Sequence, residues 1–314
     1  MALSNFGKVG VLMGGTSSER EISLKSGSAV LEALKGANVN AVGIDIKNED
    51  VSWISQVLKS ESLDCAFIAL HGRFGEDGQI QKILEDCDIP YTGSGVQASA
   101  LAMDKIASLK VLHDSGLRIP RWQALNKEDY SQNADIKLQI GFPLVVKPAN
   151  HGSSIGLSII HRPELLAGAL ELAFRYDQRV VIQEYIKGRE LTVGVLDEQA
   201  LAVVEIITKN AYFDFQAKYQ SGLTEYIVPA KLDQRIGKNV QDAGLRAHQA
   251  LGCSGCSRTD IILSPDGLIY LLEVNTIPGM TATSLLPKAA KVLGISFSGL
   301  CLKLLNLAYE KTKV

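Results

Sequence analysis

Residues 258–275 read RTDIILSPDGLIYLLEVN. Two apolar runs flank SPDG at 264–267, and Pro, Asp and Gly together make a turn. The stretch therefore reads as an antiparallel hairpin. Pairing across that turn sets Leu263 opposite Leu268 and Asp260 opposite Leu271. Residues two apart share a face, so Asp260, Glu273 and Asn275 lie together, with Arg258 across from Glu273. A longer loop would shift this register. Two carboxylates and an amide oxygen among Ile and Leu are costly unless a cation sits with them. All three are hard oxygen donors of the kind Mg²⁺ accepts, usually with phosphate oxygens completing its shell. The plainer alternative is an Arg258–Glu273 ion pair beside a solvated Asp260. The chain continues as NTIPGMTATSLLP at 275–287, entering a helix that Thr281, Thr283 or Ser284 can cap. The free N–H groups of such a helix start suit a carboxylate or a developing oxyanion.

Outward from the hairpin, short apolar runs alternate with amphipathic stretches, the pattern of an α/β chain. Strands are expected at 8–13, 39–46 and 65–70, with helices at 20–35, 50–58 and 79–87. A long helix is expected at 95–114, ending at Gly116. Strands at 142–147, 155–160 and 180–186 enclose a helix at 163–176. Strands near 190–196 and 200–207, a helix at 234–251, the hairpin, and helices at 284–293 and 296–311 complete the chain. The fold class is α/β passing into α+β. The domains expected are 1–95, 96–185 and 186–314.

The chain has 314 residues, 46% of them hydrophobic and 21% charged, with 32 basic against 34 acidic side chains. This is a globular composition whose charge balance disfavours a general nucleic-acid or membrane-surface binder. No apolar run nears the ~18 residues needed to span a bilayer. Five scattered cysteines point to reduced thiols and a cytoplasmic location. Cys253 and Cys256 form one CxxC without the second ligand pair that zinc wants, and read as ordinary small residues.

Lys147 alternates into the buried run FPLVVK and wants an anion, or else marks an edge strand. HGSSIG, four residues on, is a glycine-rich turn able to cradle phosphate, though not a Walker A loop. GSSIG also matches the GxSxG nucleophile elbow of hydrolases. That motif needs a helix after it, and β-like LSII follows. GGTSSERE precedes the first helix. Ser17 or Ser18 can cap that helix, Ser18 forming a capping box with Glu21. Glu19 either complements the helix dipole or projects into a ligand site at the carboxyl end of strand 1. HGRFGEDG ends a strand of the same sheet, where His71 is a candidate contact or proton carrier. YFDFQAKY at 212–219 reads as a lid or a docked surface loop.

GGTSSERE, ALHGRFGEDG, PYTGSG, AMDK, VVKPANHGSSIG, AKY, GCSRTD and LLEVNTIPGMTATSL occur in that order between residues 9 and 287. Together they resemble the D-alanine–D-alanine ligases, which are ATP-grasp carboxylate–amine ligases. The resemblance implies an N-terminal parallel-sheet domain followed by a two-part ATP-grasp fold. It implies ATP, Mg²⁺ or Mn²⁺ with two ions per site, two D-alanines, a homodimer and a role in peptidoglycan precursor synthesis. On the matching positions, Lys105 and Lys147 resemble the phosphate-contacting lysines, and Lys218 a third phosphate contact from the lid. Asp260, Glu273 and Asn275 resemble the metal ligands. Glu19 resembles the glutamate that takes the first ammonium, with Ser153 and Tyr219 as its hydrogen-bonded partners and His71 nearby. Arg258 and the N–H of Gly279 resemble the oxyanion stabilisers. Ser284 and Leu285 match the helix start that receives the second carboxylate. Glu190 resembles the ribose-binding glutamate, and the main chain at Glu184 and Ile186 the adenine hinge. Gln183 departs from the pattern. An acidic residue is expected there, and the amide accepts a hydrogen bond without carrying charge. Tyr219 implies the dipeptide product, because the D-alanyl-D-lactate-forming relatives lack it.

Overall fold

The computed structural model describes residues 6–130, 136–208 and 224–311. Strands β1 (Lys8–Gly14), β2 (Asn40–Ile46) and β3 (Cys65–Ile68) form a parallel sheet in the order β2-β1-β3. Helices α1 (Arg20–Gly36) and α2 (Val51–Glu61) make the crossovers. All four residues of β3 are buried, as in a parallel strand covered on both faces. Asp50 caps α2 by accepting from the Trp53 N–H at 2.8 Å. The capping box expected at α1 does not form. Glu19 stands at the N-cap position without a side-chain cap bond, and Ser17 Oγ accepts from the Glu19 N–H and donates to His71 O. Glu19 is thereby turned away from its own helix.

After α3 (Gln79–Asp86), the helix expected at 95–114 is two helices, α4 (Val96–Met103) and α5 (Lys105–Asp114). Asp104 breaks it. Its backbone is extended, and its carboxylate accepts from the N–H groups of Ile106 and Ala107 at 3.0 and 3.1 Å. Burial opposes the charge, but the Arg179 guanidinium at 2.7 Å and those amides hold Asp104 below the usual carboxylate range. The break makes Lys105 the first residue of α5.

The second sheet runs β4-β7-β5-β6, all antiparallel: β4 (Trp122–Asn126), β7 (Arg179–Glu184), β5 (Leu144–Pro148) and β6 (Ser158–Ile160). Helix α6 (Leu166–Phe174) covers one face through Ala169, Leu170 and Phe174. A 3₁₀ turn at Pro163–Leu165 precedes it, so the helix expected from 163 begins three residues later. The strand expected from 155 begins only at Ser158. Ser153, Ser154 and Gly156 all have positive φ and coil the preceding loop.

The third sheet runs β10-β9-β8-β11-β12: β10 (Thr224–Ile227), β9 (Gln199–Thr208), β8 (Arg189–Leu196), β11 (Cys256–Leu263) and β12 (Ile269–Asn275). Helix α7 (Gln234–Ala250) packs on one face, where α5 contributes Leu112 to the same core. Helices α8 (Leu285–Val292) and α9 (Phe297–Lys311) return to the first sheet, sharing a core with Val11, Val30 and Phe67. Among the described residues no single helix is long and apolar enough to cross a membrane.

The hairpin register differs from the expected one. The turn spans Ser264–Leu268, closed by Ser264 N–H to Leu268 O at 2.9 Å, so Leu263 pairs with Ile269. A bulge at Leu272 then sets Asp260 directly opposite Glu273 and Arg258 opposite Asn275. The bulge also sends Leu271 to the α7 core beside Ile261 and Val274. The extra residue lets one strand serve an apolar core and a polar cleft.

His248 lies in that core, with Nδ1 2.7 Å from Ser257 Oγ. Burial lowers its pKa from 6.5 to about 4. The unfolded chain therefore takes up the proton first. Stability is complete above about pH 6.5 and falls as the pH drops toward 4. Wild-type protein is expected to lose about 2 kcal/mol between pH 7 and 5 from this group. Urea melts of wild type and His248→Asn check it, because the variant should lack that part of the slope.

Candidate active site

Two clefts meet at one ion pair. The first, about 450 Å³, lies between the second and third sheets. The second, about 620 Å³, opens toward the first sheet and α8. Lys105 and Glu273 line both, with Lys105 Nζ 3.6 Å from Glu273 Oε2. Lys105 also donates to His151 O at 2.7 Å and is almost fully buried.

Lys147, Gln183, Glu184, Ile186, Glu190 and Asp260 line the first cleft. Gln183 is 2% exposed, and among the described residues its amide nitrogen has no hydrogen-bond partner. A buried donor left this way is destabilising by ~1–3 kcal/mol until an acceptor arrives. Arg121 engages the Glu184 carboxylate at 3.0 and 3.1 Å and holds it below the usual carboxylate range. The Glu184 N–H donates to Arg121 O, which ties the β7 end to the chain before β4.

Arg258 grips Asp260 two-pronged, Nε to Oδ1 at 2.9 Å and Nη2 to Oδ2 at 2.8 Å. Thr192 Oγ1 donates to Asp260 Oδ1 at 2.8 Å. Arg258 thus pairs with its own-strand neighbour two residues on, and Glu273 is set against Lys105.

Glu19, His71, Ser153, Asn275, Gly279, Ser284 and Leu285 line the second cleft. Glu19 is buried and accepts a short hydrogen bond from Ser153 Oγ. Two glycines permit the loops to close on it. A Cβ at Gly72, where φ is +76°, would stand 2.9 Å from Glu19 Oε2, and one at Gly152 3.2 Å away. His71 bonds Ser26 Oγ through Nε2 at 2.9 Å and faces Glu76 Oε1 at 3.5 Å through Nδ1. Burial pushes Glu76 above the usual carboxylate range, against the pull of His71. Ser284 occupies the N-cap position of α8, but its hydroxyl engages Thr281 instead of the helix.

Lys218 and Tyr219 lie outside the described residues, as does the whole of the loop expected to act as a lid. Ser154 has φ +58° and leads into β6, so no strand–elbow–helix is built around GSSIG. Cys256 is buried, and among the described residues no group of three His, Cys, Asp or Glu side chains is placed to hold a metal. Sequence reasoning missed Glu76 and Lys288, which both line the second cleft. Glu76 carried a signal, an acid five residues past His71 in the same glycine-rich loop.

The D-ala D-ala ligase C-terminus family matches residues 111–306, and the D-ala D-ala ligase N-terminus family residues 8–62 and 55–94. A D-alanine–D-alanine ligase of Geotalea uraniireducens is 48% identical, covering 97% of this chain and 96% of its own. One from Pelotomaculum thermopropionicum is 46% identical, covering 96% and 97%. Among solved structures, the Bacillus anthracis D-alanine–D-alanine ligase complexed with ATP is 35% identical with a TM-score of 0.86, covering 98% of each chain. The VanG D-Ala:D-Ser ligase of Enterococcus faecalis is 32% identical with a TM-score of 0.81, covering 96% and 99%. Likeness of sequence and of fold thus runs through both clefts and the strands that line them, and the chain belongs to the D-alanine–D-alanine ligase family.

Proposed function

We propose that the chain joins two D-alanines into D-alanyl-D-alanine, converting ATP to ADP and phosphate, for peptidoglycan precursor synthesis in the cytoplasm. The observation that carries this reading is the meeting of the two clefts at Lys105 and Glu273. A nucleotide in one cleft then presents its terminal phosphate to an amino acid in the other. ATP-grasp halves at 96–185 and 186–314, with 1–95 closing the amino-acid side, and a homodimeric assembly complete the reading.

The first cleft holds ATP, with Glu190 toward the ribose and the Glu184–Ile186 main chain toward adenine. Gln183, buried and without an acceptor among the described residues, pairs with the adenine edge, which offers both a donor and an acceptor to an amide. Lys105, Lys147 and Lys218 take the phosphates. Glu19 binds the ammonium of the first D-alanine, and Ser153 and Tyr219 hold Glu19 in place. One carboxylate oxygen of that D-alanine attacks the γ-phosphorus, ADP leaves, and an acyl phosphate forms. The neutral amine of the second D-alanine attacks the acyl carbon. Arg258 and the Gly279 N–H stabilise the oxyanion, and inorganic phosphate departs as the peptide bond forms.

Asp260, Glu273 and Asn275 suit Mg²⁺ or Mn²⁺. Asp260 and Glu273 face each other across β11 and β12, each already opposed by a cationic side chain, and Asn275 adds an amide oxygen on that face. Two carboxylates leave room for phosphate oxygens, and the bound ions supply charge neutralisation of the transferring phosphoryl group.

The D-Ala:D-Ser ligase among the similar structures supports a second reading, in which D-serine is the acceptor. Phosphate release from ATP and Mg²⁺ with D-alanine, L-alanine, D-alanine plus D-serine, or D-alanine plus D-lactate, with product masses, separates them. D-alanine alone is expected to suffice and to give the dipeptide. Release only with D-serine or D-lactate present overturns the acceptor assignment, and release with none overturns the ligase reading.

A further inference from the structure

Lys288 lies one helical turn beyond Ser284, its N–H donating to Ser284 O at 3.0 Å. Helical side chains lean toward the helix N-terminus. The ammonium therefore reaches back over Ser284 and Leu285, and all three residues line the second cleft. Its Nζ stands 4.3 Å from the centre of the Tyr226 ring on β10. An aromatic face fixes this cation, and among the described residues no carboxylate pairs with it. Lys288 is half-buried, and two more deeply placed cations of the cleft are engaged differently: Lys105 answers Glu273, and Arg258 grips Asp260.

Building on the ligase reading, we propose that Lys288 binds the carboxylate of the acceptor amino acid and makes the enzyme selective for acceptors that carry one. The acceptor arrives as a zwitterion in a cleft already lined by Glu19, Glu76 and Glu273. Without a cation nearby, its carboxylate would meet like charge. Tyr226 covers one side of the ammonium and leaves the other to the ligand. Burial holds the Lys288 pKa below the usual lysine range, a cost to its charge that a bound carboxylate offsets. An ammonium is a point charge without directional preference. It therefore selects the carboxylate and leaves discrimination of the acceptor side chain to other residues.

The test compares D-alanine with D-alaninamide as acceptor, D-alanine being the donor in both and products being resolved by mass. Wild type, Lys288→Met, Lys288→Gln and Lys288→Arg are measured, each with a melting curve. In the Met and Gln variants the acceptor KM is expected to rise at least ~10-fold, the donor KM to move less than ~3-fold, and the preference for D-alanine over its amide to fall at least ~5-fold. Lys288→Arg is expected to restore most of that preference. An unchanged preference, or both KM values rising together, overturns the proposal and leaves Lys288 a structural role. A wild type with no D-alanine-dependent phosphate release overturns the ligase reading, and this inference with it, before any variant is made.

Discussion

Glu273→Gln is expected to lose at least ~100-fold in turnover while keeping its fold. The two halves of this expectation have different causes. The Glu273 side chain is 31% exposed and sits 3.6 Å from Lys105, a separation at which a partly solvated pair contributes ~0–1 kcal/mol. The amide keeps the shape of the carboxylate, and Lys105 keeps its bond to His151 O. Melting temperature should therefore move by only a few degrees. Turnover depends on something else. Glu273 lines both clefts, and on the proposed reading the phosphoryl group passes between them, so a charge lost here is lost at the transfer step. A 100-fold loss corresponds to ~2.7 kcal/mol of transition-state stabilisation, the scale of one removed charge contact in a closed site. Steady-state ADP release across a Mg²⁺ titration checks it. Turnover near wild type with the same Mg²⁺ dependence would remove Glu273 from the metal-binding set.

What the sequence disclosed, and what it hid, follows from which forces are local. The β1–α1–β2 unit was legible because apolar runs with parallel-strand burial alternate with one helical face. The same holds for α7, whose Val240, Ala243 and Ala247 share a stripe. β4 was not legible. WQALN is an edge strand without one fully buried residue, so it lacks the alternation that marks a half-buried strand. The break at Asp104 carries no Gly or Pro, and only the two N–H groups it caps show why the helix restarts there. The bulge at Leu272 is invisible in LLEVN, because Leu271 and Leu272 are equally apolar and only packing against α7 decides which turns inward. The polar face was nevertheless grouped correctly, since Asp260, Glu273 and Asn275 stand on the far side of that bulge from the turn. Glu76 and Lys288 needed the fold. One is brought beside His71 by a loop, the other beside Tyr226 by a helix from a distant part of the chain.

Arg258→Leu should destabilise the protein by ~3–5 kcal/mol, and Arg258→Leu combined with Asp260→Leu should be more stable than that single variant and still inactive. The pair is 14% and 11% exposed at its side chains and joined by two short charge-assisted bonds along β11, which lies between β8 and β12 in the third sheet. Removing the guanidinium alone leaves the Asp260 carboxylate buried, with Thr192 Oγ1 its remaining partner in the group. That uncompensated charge is the larger part of the loss. Replacing both residues removes the charge together with its need for a partner, and the single Thr192 hydroxyl proton turns to Thr259 O, 3.0 Å away. Arg258→Lys should fall between, since an ammonium keeps the charge and gives up the two-pronged geometry. The order expected in urea melts is therefore wild type, then lysine, with the double leucine variant above the single one. A double variant no more stable than Arg258→Leu would mean that the fork holds β11 by packing and not by charge. Activity separates from stability in the same series. Asp260 lines the first cleft and Arg258 the second, and on the proposed reading they serve the metal and the oxyanion, so the variant that recovers its fold should recover no ligation.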